Sequence, residues 1–110
     1  MKIPYNELAI VSKEKILNYI LNEYHSDGMH KAKYFKSFGF SSENWTILVD
    51  ALIDHCNVNE VSGTKENEFG VKYIVEGTLK TPDNRNPEIK TIWFIENNEK
   101  NPKFITAYPI

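Results

Sequence analysis

The densest set of groups able to move protons or hold an anion lies in His30-Lys31-Ala32-Lys33-Tyr34-Phe35-Lys36. On a helix, residues three and four apart are neighbours, so His30, Lys33 and Tyr34 share one face. An imidazole beside ammonium groups is a minimal set for cleaving RNA through its own 2′-hydroxyl without a metal: a proton acceptor, a proton donor and a cation for the phosphorane. The same residues equally make a solvated basic face, since lysine on an exposed helix is common. Further along, Thr91 with Trp93 and Thr106 with Tyr108 are spaced by two, so each pair points to one face of a strand. Such side chains serve cross-strand packing or line a substrate groove. Arg85, the only arginine, sits in a turn-rich connection, where its planar fork suits a phosphate or simply faces water.

Other candidates are weaker. His25 falls between helices, and His55 falls near a helix end, where an imidazole complements the dipole. Asp50 and Asp54 are four apart, but His55 is turned away from them, so no metal site is expected. The single Cys56 allows no internal disulfide and no thiolate cluster for zinc, which fits a reducing cytoplasm. The chain contains no phosphate-binding glycine loop, no dinucleotide fingerprint, no C-x-x-C, no H-E-x-x-H and no G-x-S-x-G. No cofactor is expected.

These residues need elements to position them. Ser12 is an N-cap candidate with Glu14 in the first turn, and Ile16, Leu17, Ile20, Leu21 and Tyr24 form an apolar stripe, predicting a helix over 12–23. Ser26 or Asp27 then caps a second helix over 28–38, closed by Gly39. Ser41 or Ser42 caps a third over 43–56, with the stripe Trp45, Leu48, Val49, Leu52, Ile53 and Cys56. Residues 59–67 read as a polar loop or irregular edge strand. Alternating runs follow at Phe69 to Glu76, at 88–96 and at Lys103 to Pro109, joined by stretches rich in Asn, Asp and Pro. The run at 88–96 carries bulk on both faces, which marks a middle strand. The fold class is therefore α+β: three N-terminal helices followed by an antiparallel meander of three or four strands, with the helices on one face. Met1 to Val11 is expected to pack along the body as an extended arm.

The totals set bounds. At 110 residues with 41% hydrophobic and 25% charged, the chain (1–110) reads as one domain with a modest aromatic-rich core. A net charge of −2 gives no global positive field to draw in nucleic acid. No apolar run is long enough for a membrane span or a secretion signal, so no membrane association is expected.

Taken as a set, Gly28-Met29-His30-Lys31-Ala32-Lys33-Tyr34-Phe35, Gly39-Phe40, Trp45, Gly70 to Gly77, Thr91-Ile92-Trp93 and Thr106-Ala107-Tyr108-Pro109 resemble a small bacterial family defined as a domain of unknown function. That family is similar in layout to the barnase, EndoU, colicin and RelE type of metal-independent ribonuclease toxins. The resemblance implies a toxin-like endoribonuclease with His30, Lys31, Thr106 and Tyr108 as catalytic residues and Lys33, Arg85 and Thr91 as substrate contacts. It also implies RNA as substrate and a cognate antitoxin or immunity protein as partner. The alternative is a non-enzymatic protein-interaction module of a bacterial or phage-related system.

Overall fold

The computed structural model describes residues 1–110. One antiparallel sheet of four strands runs in sequence order: β1 (Val61–Asn67), β2 (Gly70–Thr78), β3 (Glu88–Glu96) and β4 (Lys103–Pro109). The order follows from short connections, since each turn-rich stretch is long enough only for a hairpin. Asn84 and Asn86 take left-handed conformations in the β2–β3 connection, as does Asn98 after β3, a role that asparagine tolerates well.

The helical part differs from its sequence pattern at the first helix. Instead of one helix over 12–23, a single α-turn, α1 (Lys13–Lys15), passes into a π-turn at Ile16–Ile20. The Leu21 amide bonds to the Ile16 carbonyl five residues back, at 2.8 Å. Ser12 caps this segment by accepting from the Lys15 amide. Ile16, Ile20 and Leu21 are buried, so the apolar stripe is real, but the chain leaves the helix once they are placed.

α2 (Met29–Ser37) is shorter than the expected 28–38 by one residue at each end. Neither Ser26 nor Asp27 caps it; Nδ1 of His25 accepts from the Asp27 and Gly28 amides, each at 3.0 Å. Gly39 follows with φ 101°, the left-handed stop that its position predicts. α3 (Trp45–Val58) begins two residues later than expected, after Ser41 Oγ has accepted from the Asn44 amide. The polar stretch 59–67 is largely strand β1, because polar residues suit an edge strand. The N-terminal arm spans both edges of the sheet. Its Met1 carbonyl accepts from the Val61 amide, and Ile10 pairs with β4 through the Pro102 carbonyl and the Phe104 amide.

The helices cover one face of the sheet. Val75, Ile89, Trp93, Phe104 and Ala107 point into the core from the strands and meet Ile16, Ile20, Phe35, Leu48 and Leu52 from the helices. Because strand side chains alternate, the residues between them, among them Lys72, Lys90, Phe94, Thr106 and Tyr108, face the other way. That second face has no helix over it.

Inside the core, a directed hydrogen-bond chain joins α3 to the sheet. The Gly77 carbonyl can only accept, so Nε2 of His55 is the donor to it at 3.0 Å. Nδ1 then accepts from the Thr91 hydroxyl at 3.0 Å, which itself accepts from Trp93 Nε1 at 2.8 Å. His55 is fully buried rather than an exposed helix-end imidazole. Burial pushes its pKa below the ordinary value, against the Gly77 carbonyl and the charges of Glu88 and Asp54, which act in the opposite direction. A histidine held neutral in the fold contributes stability above its unfolded pKa of about 6.5 and loses it as pH falls through the lower folded value. The melting temperature of the wild type should therefore drop between about pH 7 and pH 5 more steeply than that of His55→Gln. Parallel curves for the two proteins would contradict this.

Candidate functional site

The site is built where the helical layer meets the edge strand β4. The π-turn carries Tyr19, the first turn of α2 carries Lys31, and β4 carries Thr106 on its open face. Lys31 Nζ donates to Tyr19 Oη at 2.7 Å and to Thr106 Oγ1 at 2.9 Å, and the two hydroxyls lie 3.0 Å apart. Three polar groups thus form a closed triangle, each half-buried. Such a triangle costs side-chain entropy and desolvation while tying the π-turn, α2 and β4 together. Lys31 also sits 5.1 Å from the Tyr19 ring centre and 5.8 Å from that of Tyr108.

Glycine makes the approach possible. A Cβ on Gly28 would lie 2.3 Å from the Tyr19 carbonyl oxygen and 3.0 Å from its ring, so any side chain there would push α2 off the π-turn. His25, between the two segments, packs edge-on to Tyr19 with ring centres 5.0 Å apart. With Nδ1 accepting from two amides, the neutral ring carries its proton on Nε2. Lys15, Tyr19, His25, Asp27, Ile105 and Thr106 line an open cleft of about 370 Å³.

The electrostatics single out Tyr19. Burial raises its phenol pKa, but the hydrogen bonds with Lys31 and Thr106 and the charges of Lys31 and Lys15 outweigh it, and the net shift is downward. By contrast Tyr34, packed against Phe35 and Phe38 with no such cation, is pushed up by burial. An ammonium donating to a phenol of lowered pKa is an arrangement suited to acid–base work.

Of the residues expected from sequence, the structure gathers Lys31, Thr106 and Tyr108. His30 is exposed and its ring makes no hydrogen bond; one residue from Lys31, it lies about 100° around the helix. Lys33 is exposed and lies about 200° around from Lys31. Arg85 donates to Asp83 Oδ2 at 2.6 Å and to the Ser37 carbonyl, with its guanidinium 4.3 Å from the Phe38 ring centre. It grips the far end of α2, roughly 9 Å along the axis from Lys31. Thr91 is fully buried, on the core face, with its hydroxyl engaged by His55 and Trp93. Tyr19 and His25 complete the cluster. Tyr19 lay hidden because a π-turn, invisible to a search at helical spacing, is what aims it; π-turns often occur at functional sites.

Residues 2–110 match the model of a family described as domain of unknown function (DUF6883). The chain belongs to this family. No curated protein matches it. The DUF6883 chain is similar in fold to a chain of a contact-dependent growth inhibition toxin–immunity protein complex from Klebsiella pneumoniae 342, with a TM-score of 0.74. The likeness covers 94% of this chain and 95% of that one at 15% identity, so it shows shared fold alone. No helix of the DUF6883 chain is long and apolar enough to cross a membrane.

Proposed function

We propose that this DUF6883 protein is a toxin-like domain that cleaves RNA without a metal, by attack of a 2′-hydroxyl on the adjacent phosphorus. The observation that carries the reading is the triangle of Tyr19, Lys31 and Thr106 at the cleft. In the reactive form Tyr19 is a phenolate, receiving hydrogen bonds from Lys31 and from the Thr106 hydroxyl. It takes the proton of the 2′-hydroxyl as the oxygen attacks phosphorus. Lys31 steadies the charge on the phosphorane and gives a proton to the departing 5′-oxygen. The products are a 2′,3′-cyclic phosphate and a 5′-hydroxyl. Lys31, now neutral, regains its proton from Tyr19 across their 2.7 Å hydrogen bond, which restores the pair.

Thr106 holds both groups in register, His25 offers Nε2–H to a phosphate oxygen, and the Tyr108 ring offers a face for a base. The net charge of −2 is unevenly spread. Lys15 lines the cleft together with Asp27, Lys31 donates to Tyr19 and Thr106 in its wall, and Lys65 and Lys72 lie on the open sheet face beside it. In this reading the unpaired lysines supply local positive charge for a polyanion despite the acidic total. His30 and Lys33, exposed on α2, are available to contact the substrate outside the triangle. The toxin–immunity neighbour makes a cognate protein partner for this chain a natural companion to the proposal.

The test is expression of the wild type and Tyr19→Phe in a sensitive host, following growth and total RNA, with purified protein assayed in EDTA. Wild type should arrest growth and fragment RNA with EDTA present, and Tyr19→Phe should do neither. Wild-type protein that leaves growth and RNA untouched would put the protein-interaction module in its place.

A further inference from the structure

A second cleft, of about 310 Å³, opens on the uncovered sheet face and is lined by Lys65, Asn67, Lys72, Phe94 and Ile105. Its composition is at odds with stability. Lys65 and Lys72 are directly opposed in the β1–β2 register, so two like charges face each other across neighbouring strands, an arrangement that destabilises a sheet. Neither makes an ion pair, whereas Lys90 on the same face is paired with Glu76 and Lys103 with Glu96 and Glu99. Phe94 is opposite Lys72 in the β2–β3 register, so a ring only half-buried continues the row on the third strand. Ile105, the extra residue where β4 bulges against β3, lines both this cleft and that of the Tyr19–Lys31–Thr106 triangle. The two are therefore adjoining parts of one surface.

Unpaired opposed ammonium groups beside a half-buried aromatic ring that lines the cleft match a nucleotide: a phosphodiester for the charges and a base for the ring. We propose that this cleft is a second nucleotide subsite for single-stranded RNA, with a base stacked on Phe94 and the backbone phosphate held between Lys65 and Lys72. It rests on the RNA reading of the triangle and adds the direction in which the strand leaves it, across the sheet toward β1. A duplex offers no free base face for Phe94, so single strands and loops are the preferred substrate.

The experiment uses wild-type protein and fluorescent 2′-O-methyl oligonucleotides, which bind but cannot be cut, with affinity read by anisotropy across a salt series. Lys65→Ala/Lys72→Ala should lower the slope of log affinity against log salt by roughly 0.7, the loss of one neutralised phosphate on a single strand. Phe94→Leu, which keeps apolar bulk without the ring, should weaken binding roughly tenfold, as for one unstacked base. For cleavage of long RNA both variants should raise KM and leave kcat near the wild-type value. If wild type cuts RNA but these variants keep their affinity, salt slope and KM, the subsite is refuted while the triangle stands. If wild type neither binds nor cuts RNA, both fall. Competition by poly-glutamate equal to that by RNA, with no effect of Phe94→Leu, would overturn the subsite in favour of an acidic protein surface.

Discussion

Lys31→Ala is expected to lower RNA cleavage by about 10²–10³-fold, the usual loss when a charge-stabilising donor is removed from the transition state. The ammonium touches both hydroxyls of the triangle, so in the proposed mechanism its removal takes away three things together: the cation beside the phosphorane, the proton for the leaving oxygen, and the hydrogen bond and charge that lower the Tyr19 pKa. The last has a separate readout. Cleavage should rise with pH as Tyr19 ionises, and in Lys31→Ala that rise should move to higher pH, because burial then acts without its main opponent. Lys31→Arg keeps charge, but its planar fork does not reproduce a compact ammonium shared between two oxygens, so recovery should be partial. Melting temperature should change by no more than a few degrees in either variant, since the triangle lies outside the core. A large drop in melting temperature with a cleavage rate close to wild type would make Lys31 a structural residue.

Trp93→Ala should be among the most damaging single changes for stability. The ring is fully buried, packs edge-on to Phe104 at 5.4 Å between centres, and donates to Thr91 within the His55 chain. Emptying that volume costs about 3–5 kcal/mol, comparable to the low end of the total stability of a small domain. Trp45 is a useful contrast. It is only half-buried at the start of α3, with Lys13 Nζ 5.4 Å from its ring centre, so Trp45→Ala should cost roughly 1–2 kcal/mol. Urea unfolding of the two variants side by side measures the difference. Equal losses, or a Trp93→Ala protein with an unchanged midpoint, would contradict the placement of Trp93 at the centre of the core.

The sheet is legible in the amino-acid pattern because strand chemistry is local. Alternation in Glu88 to Glu96 and the asparagine-rich connections carry both the strands and their antiparallel order. α2 and α3 are legible for the same reason, through their stripes and Gly39. The first helix was legible in its place and its buried stripe but not in its form, a short α-turn passing into a π-turn that buries Ile16, Ile20 and Leu21 while turning Tyr19 toward β4. The candidate cluster was legible only in part. Lys31, Thr106 and Tyr108 stand out by type and spacing, but which residue meets them depends on how α2 rotates on its neighbours, and that rotation presents Lys31 rather than His30. Thr91 shows the opposite limit: its spacing from Trp93 places both side chains on one face, yet only the packing of α3 makes that face the buried one.

The central claim is that the Tyr19–Lys31–Thr106 triangle drives attack by an RNA 2′-hydroxyl, and the chemistry of the product ends tests it most directly. A short RNA containing one preferred cleavage position is incubated with wild-type protein in EDTA, beside the same RNA with a single 2′-deoxy substitution at that position. The mechanism predicts a 2′,3′-cyclic phosphate and a 5′-hydroxyl from the first and no cleavage of the second. A 5′-phosphate product, or equal cutting of the deoxy-substituted strand, would contradict it, because the nucleophile would then be water and the triangle would have another use.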